Sequence, residues 1–160
     1  MKRRLLILGL LLALSLCACT KQNADYFAPF REGFVAQIEG EFHGISFAAQ
    51  LACEEPREDG GREATLTFYA PESLSDTVLF CDADGALFLR VGGVTQPAPR
   101  EYAALLSLFP SHAVATGVTR EGEGTRVVGD GFSLSFLADG TPVRATCGEV
   151  SVRVLSFSQK

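Results

Sequence analysis

The sequence predicts a mainly β (α+β) fold: a curved antiparallel sheet, or half-barrel, of about nine strands with one or two helices on its concave face. Three observations lead to this prediction. Apolar and polar residues alternate with a period of two in segments spread from Phe34 to Val154. Turn-forming residues separate these segments. The segment from Pro99 to Phe109 instead carries its apolar residues at helical spacing.

Residues 1–18 predict a signal peptide. Lys2, Arg3 and Arg4 precede an almost unbroken apolar run from Leu5 to Leu16. This run is shorter than the ~20 residues that a membrane-spanning helix needs, so it is expected to direct secretion and not to anchor the chain.

The segment LCAC, from Leu16 to Cys19, resembles the bacterial lipobox, in which a small residue precedes a cysteine that is acylated and exposed by cleavage. Cys19 fits this pattern because Ala18 precedes it, whereas the residue before Cys17 is the bulky Leu16. The resemblance implies that Cys19 is lipidated. Ordinary secretory cleavage, which would leave a soluble protein, is the alternative.

Lipidation implies an extracytoplasmic domain that is attached to the cell membrane through its N-terminal acyl chains, or to an outer membrane if the cell has one. Two or three acyl chains make such attachment lasting. Residues 19–24 would then form a lipidated tether, and residues 25–160 a single domain. Removing 18 of the 160 residues leaves 142, which is enough for one domain with a core.

The chain after the leader is acidic. It keeps 11 of the 14 Lys and Arg residues against 19 Asp and Glu, a net charge near −8. This balance excludes nucleic acid as an expected partner and disfavours adhesion to anionic lipid headgroups.

Five strands are expected in the first half of the domain, after a short helix near Tyr26 to Phe30 that Pro29 interrupts. Their sequences are FVAQIEG from Phe34, GISFAAQLAC from Gly44, ATLTFYA from Ala64, DTVLFC from Asp76 and ALFLRVGG from Ala86. The first three alternate as strands with one covered and one wet face do. The acidic stretch from Glu54 to Glu63 predicts a solvated loop.

The only convincing helix is expected at Pro99 to Phe109, before Pro110. Its apolar stripe at i, i+3, i+4 and i+7 consists of Tyr102, Leu105, Leu106 and Phe109. Three alternating strands follow it: FSLSF from Phe132, PVRATC from Pro142 and VSVRV from Val150, with a hairpin turn at Asp139-Gly140.

A long antiparallel sheet with one apolar face must close into a barrel or carry helices on that face. The mid-chain helix and the small residues Ala48, Ala49 and Ala52 favour an open, curved sheet with helices. A closed barrel is the alternative.

The motifs of catalysis and metal binding are incomplete in this chain. Ser111 and His112 are adjacent, so in a strand their side chains point to opposite faces and cannot form a nucleophile and base pair. The segment from Asp82 to Gly85 lacks the third acidic position and the distal glutamate of a calcium loop. We therefore expect no enzyme, no metal and no cofactor.

Three cysteines remain after the anchor, at Cys53, Cys81 and Cys147. Their wide spacing lacks the close pairs and the histidine partners of a zinc site. We expect small buried side chains with at most one disulfide, which any two of the three could form.

The segments follow one another in this order: the lipobox, the short N-terminal helix, FVAQIEGEFHGISFAAQL, TLTFYAPESLSDTVL, the mid-chain helix and the closing GFSLSFLADGTPVRAT. This order resembles that of the LolA-like superfamily of envelope lipoproteins. The similarity is nearer to the small, functionally unassigned members than to the soluble carrier, which has no lipobox. It implies a half-barrel whose concave apolar face takes acyl chains or a hydrophobic segment of a partner.

The expected function is a lipid-anchored binding protein that holds an acyl chain or other apolar ligand in the half-barrel. A protein-interaction module that docks an envelope enzyme or sensor is the alternative. The candidate lining residues are inward-facing apolar side chains of the predicted strands, namely Phe34, Ile38, Phe47, Leu51, Leu66, Phe68, Phe132, Leu134 and Phe136.

Overall fold

The computed structural model describes residues 25–160 and confirms the predicted fold class: one open, curved antiparallel sheet with a single short α-helix in that part of the chain. The predicted signal peptide at 1–18 and the tether at 19–24, including Cys19, lie outside the described residues. Within them, no helix is long and apolar enough to cross a membrane.

Within residues 25–160 the sheet has eleven strands, against about nine expected and eight located as segments of the sequence. The first six are β1 (Phe34–Phe42), β2 (Ile45–Cys53), β3 (Ala64–Ala70), β4 (Thr77–Cys81), β5 (Leu87–Val91) and β6 (Val94–Pro97). The last five are β7 (Ala115–Glu121), β8 (Gly124–Gly129), β9 (Phe132–Phe136), β10 (Pro142–Cys147) and β11 (Val150–Gln159).

Two meanders make up this sheet. Their strand order is β6-β5-β4-β3-β2-β1-β11-β10-β9-β8-β7, so β6 and β7 are its edges and the pairing of β1 with β11 joins its halves. Each hairpin is local, whereas β1 pairs with a strand from the other end of the chain.

The strands β6, β7 and β8 were not predicted from the sequence. Their alternation is weak because edge strands bury little: all four residues of β6 and six of the seven in β7 are exposed. In β8 only Val127 is buried. Amphipathic periodicity reports the burial of one face, so it fails where neither face is covered.

The mid-chain helix is shorter than expected. A 3₁₀ turn at Arg100–Tyr102 leads into α1 (Ala103–Leu106), and the chain leaves helical geometry at Ser107. The apolar stripe is therefore shifted. Leu105, Leu108 and Phe109 are buried, while Tyr102 and Leu106 are half-buried.

The core lies on the concave side of the sheet. The predicted alternation in β1 is confirmed, because Phe34, Ala36 and Ile38 are fully buried. The N-terminal segment packs there as a 3₁₀ turn at Ala28–Phe30. The Phe30 ring lies with its centroid 5.2 to 6.2 Å from those of four other rings: Phe34, Phe109, Phe136 and Phe157. Edge-on and tilted ring pairs at these distances are favourable beyond their buried area.

Arg62 ties this N-terminal segment to the sheet. Its guanidinium donates hydrogen bonds to three backbone carbonyls, those of Phe30 at 2.7 Å, Glu32 at 2.9 Å and Glu54 at 2.7 Å. The same group lies over the Phe34 ring, 4.9 Å from its centroid. The acidic loop between β2 and β3, expected to be only solvated, therefore also fixes the entry of the chain into the fold.

All three described cysteines are free thiols. Cys53 and Cys81 both pair with Ala64, so the intervening strand β3 separates them by two strand spacings of ~4.8 Å. That separation is too great for a disulfide, which requires Cα atoms within ~7 Å. Burial raises the pKa of Cys53 to about 12, and burial also raises the pKa of Cys147.

We expect the Cys53 thiol to resist alkylation in the folded protein at pH 8, because burial disfavours its thiolate. Mass spectrometry after iodoacetamide treatment would show slower labelling at Cys53 than at half-buried Cys147. Equal labelling rates at the two thiols would contradict the burial of Cys53.

Because the pKa of Cys53 in the folded protein lies above the ordinary 9.0, the stability of the folded protein is expected to fall as pH rises from about 9 towards 12.

Candidate binding cavity

An apolar cavity of about 290 Å³ opens at the end of the sheet where β1 turns into β2. Its walls come from this hairpin, β3, the 3₁₀ turn at Glu72–Leu74, β4, β5 and α1. Most of the lining is apolar, consisting of Phe42, Ile45, Phe47, Phe68, Leu74, Leu89, Val91, Tyr102 and Leu105.

The tight turn between β1 and β2 shapes one side of the cavity. His43 and Gly44 both have positive φ, at 50° and 76°, as a two-residue turn matched to sheet twist requires. Gly44 adopts this geometry without cost, whereas a residue with a Cβ, such as His43, is uncommon there. The His43 ring centroid lies 4.1 Å from that of Phe42 at the cavity wall.

Aromatic pairs build the rest of the wall. Phe47 and Phe68 meet edge to face with centroids 5.6 Å apart, and Phe42 meets Tyr102 at 5.5 Å. The first pair joins β2 to β3, and the second joins β1 to the 3₁₀ turn before α1. The cavity therefore lies between the sheet and the mid-chain helix.

The mouth of the cavity is also apolar. Ile45 is 53% exposed and Val91 is 47% exposed, although alternation placed Ile45 on the covered face of β2. Ile45 faces the predicted side, but the sheet ends there and the side chains of residues 25–160 leave it half-exposed. Apolar surface left open at a concave site is typical of a binding site.

The polar lining is sparse and carries no carboxylate, lysine or arginine: it consists of His43, Ser73 and Thr77. Among residues 25–160, no three His, Cys, Asp or Glu side chains lie close enough together to hold a metal ion. This lining favours an apolar ligand with few polar groups.

The structure brings two of the nine predicted lining residues together at this cavity, Phe47 and Phe68. Phe132 is half-buried and lines a separate cavity near β7. Phe136 is 3% exposed and lines a further cavity beside Tyr26 and Pro29. The other five are closed into the core with no exposed surface: Phe34, Ile38, Leu51, Leu66 and Leu134.

Sequence reasoning missed most of the lining because it lies on strand ends and on the turn before β4. Phe42 and Ile45 flank the tight turn, and Leu74 follows the Pro71 that ends β3. One sequence signal for this cavity was available. The turn residues His43 and Gly44 stand between apolar Phe42 and Ile45, and they mark where the apolar faces of β1 and β2 both end.

No protein-family model and no curated protein matches the chain. Solved structures of MucB are similar. A MucB crystal structure has 14% identity and a TM-score of 0.48, with 84% of this chain and 56% of that chain covered. The Pseudomonas aeruginosa MucA/MucB complex has 16% identity and a TM-score of 0.44 over 83% and 53% of the two chains. MucB in complex with MucA(peri) has 16% identity and a TM-score of 0.39 over 83% and 52%. The chain spans about half the length of these structures.

Proposed function

We propose that this protein is a lipid-anchored extracytoplasmic binding protein that holds an acyl chain or another apolar ligand in the cavity beside Ile45. Cys19 carries the acyl chains in this proposal, residues 19–24 form the tether, and residues 25–160 form the binding domain. The proposed role is binding, without a catalytic step.

The observation that carries the proposal is an open apolar cavity at one end of the core. Its volume of about 290 Å³ lies at the lower end of the ~300–1,000 Å³ range of ligand pockets. A single acyl chain or one bulky apolar group suits this volume better than a two-chain lipid. Each buried methylene would contribute ~0.8 kcal/mol before ordering costs.

The cavity and the described N-terminal segment, which begins at Asp25, lie at opposite ends of β1. The N-terminal segment enters the fold at the Phe34 end, where the side-chain amide of Gln159 donates a hydrogen bond to the Pro29 carbonyl and Gln159 pairs with Phe34. The cavity opens beyond Phe42, eight residue steps of ~3.3 Å along the strand, or roughly 26 Å away. An anchored domain would thus receive its ligand at the end away from the anchor.

A protein-interaction module is the second candidate function. The observation that favours it is the closed packing around five of the nine predicted lining residues, which are fully buried and leave no continuous channel along the described part of the half-barrel. In this alternative, the exposed surfaces of the sheet are the binding sites.

Replacing Ile45 with Glu tests the cavity. The buried side chains of residues 25–160 form one hydrophobic core with each other, so a protein lacking residues 1–19 is expected to fold. We expect it to bind a fluorescent fatty-acid probe, and Ile45→Glu to weaken that binding at least ten-fold by placing a charge at the apolar mouth. Because Ile45 is 53% exposed, the variant should keep its melting temperature.

The matched control is Leu155→Glu. Leu155 is 50% exposed on β11, outside the cavity, so its substitution should leave probe binding within two-fold. Failure of the parent protein to bind the probe, or equal losses in the two variants, would reject the cavity as the binding site.

A further inference from the structure

The two edges of the sheet differ in how well they are protected against pairing. β6 has four residues and ends at Pro97, which has no N–H to donate. β7 has seven residues and contains no proline or lysine, and among residues 25–160 it pairs only with β8. Proteins usually block an edge with short strands, proline, charged side chains or bulges. In β7 these devices stand only at its two ends, as a bulge near Ala115 and as the exposed Arg120 and Glu121, so the stretch around Val118 is left unblocked.

The free side of β7 therefore presents backbone donors and acceptors to solvent. Its side chains do not cover them: six of its seven residues are exposed, and Val118 at its centre is 51% exposed. Val114, immediately before the strand, is 81% exposed.

A second cavity, of about 410 Å³, adjoins the start of this edge. Its apolar walls include Pro110, Ala113, Val114 and Phe132, and Thr116 of β7 also lines it. A cavity of ~150 Å³ already holds a group the size of benzene, so this one has room for a large apolar side chain.

We infer that β7 is a docking edge for an extended segment of another protein, which pairs as a twelfth strand and places one apolar side chain in the adjoining cavity. In this mode of recognition, backbone hydrogen bonds supply affinity and a side-chain pocket supplies specificity. The inference rests on the second candidate function, and it does not depend on the cavity beside Ile45.

Charge argues against a second copy of the same chain as the occupant. Antiparallel pairing of two β7 strands centred on Val118 would place Glu121 opposite Ala115 of the other copy, and Glu123 opposite Ala113 at the apolar cavity. Both copies would also carry a net charge near −8. A neutral or basic segment fits the edge better.

Random twelve-residue peptides displayed on phage provide the probe, selected on the protein lacking residues 1–19. Enriched peptides are expected to contain an apolar anchor residue and few acidic residues. Val118→Lys should weaken their binding at least ten-fold by placing a charge on the edge. The matched control is Val94→Lys on β6, where the side chain is 69% exposed, and it should leave binding within two-fold.

Hydrogen exchange locates the bound peptide. An enriched peptide is expected to slow exchange at alternate amides of β7, those that point away from β8. Selection without enriched peptides, or binding that survives Val118→Lys, overturns the proposal. The proposal is also overturned if the protein forms a concentration-dependent dimer that Val118→Lys dissociates, because that result identifies a second copy of the chain as the occupant of the edge.

Failure of this proposal is distinguishable from failure of the apolar-ligand proposal. Ile45→Glu should leave peptide binding unchanged, and Val118→Lys should leave fatty-acid binding unchanged. If the selected peptides instead lose binding to the Ile45→Glu variant, their binding site is the cavity beside Ile45, and the docking-edge proposal is overturned.

Discussion

Phe30→Ala is expected to destabilise the protein by ~3–5 kcal/mol, the usual cost of truncating a buried phenylalanine. The Phe30 side chain is fully buried, and its ring contacts come from β1, β9, β11 and the segment after α1. Truncation removes the group that holds these elements together and leaves a cavity that four rings cannot easily fill. Thermal unfolding should show a melting temperature lower by roughly 10 °C or more.

Phe80→Ala is the control for this prediction. Phe80 is half-buried on the other face of the sheet, where its ring stacks on Phe88 with centroids 5.4 Å apart. Its truncation should cost clearly less, because water can fill the space that it leaves. If both variants lose the same stability, Phe30 is not the centre of the core.

Gly40→Ala is expected to destabilise the protein by ~1–3 kcal/mol, the usual cost of overpacking. A Cβ at Gly40 would clash with the backbone oxygen of Ser151 and lie 2.8 Å from Cγ1 of Val152. The first of these atoms belongs to the backbone, so β1 and β11 would have to move apart. Chemical denaturation would measure the loss as a lower denaturant midpoint.

Gly117→Ala is the matched control. Gly117 also lies in a strand, but a Cβ there would meet no atom within 4 Å. Alanine at this position should be neutral or slightly stabilising, since it reduces the freedom of the unfolded chain. A loss at Gly117 equal to that at Gly40 would mean that strand propensity, and not close approach of β11, governs both positions.

Periodicity predicted the strands that bury one face, and the structure shows why. In β11, Val150, Val152 and Val154 are buried while Ser151 and Arg153 are exposed, as the alternation of VSVRV indicated. The edge strand β7 left no such pattern because it is covered on neither side. Sequence patterns therefore reported the covered core and gave little information about the free edges.

The candidate sites were predicted less well than the fold. Alternation identified side chains that face inward, and Phe34 and Leu66 do so, but both are packed against other core residues. Whether an inward side chain borders a cavity depends on how the strand ends and the mid-chain helix pack. Ile45 borders a cavity because elements far along the sequence, such as α1, form other walls of it, and no local pattern encodes that arrangement.

The pairing of β1 with β11 also determines when the sheet can be completed. The partner residues of β1 lie between Ser151 and Gln159, in the last strand of the chain. As the chain emerges from its N-terminus, β1 to β6 can form a meander by local contacts, but one side of β1 stays unpaired until the final residues arrive. Folding of the whole sheet is thus a late, long-range event. During synthesis, the central strand of the sheet behaves as a temporary edge, exposed to mispairing until the C-terminal residues are released.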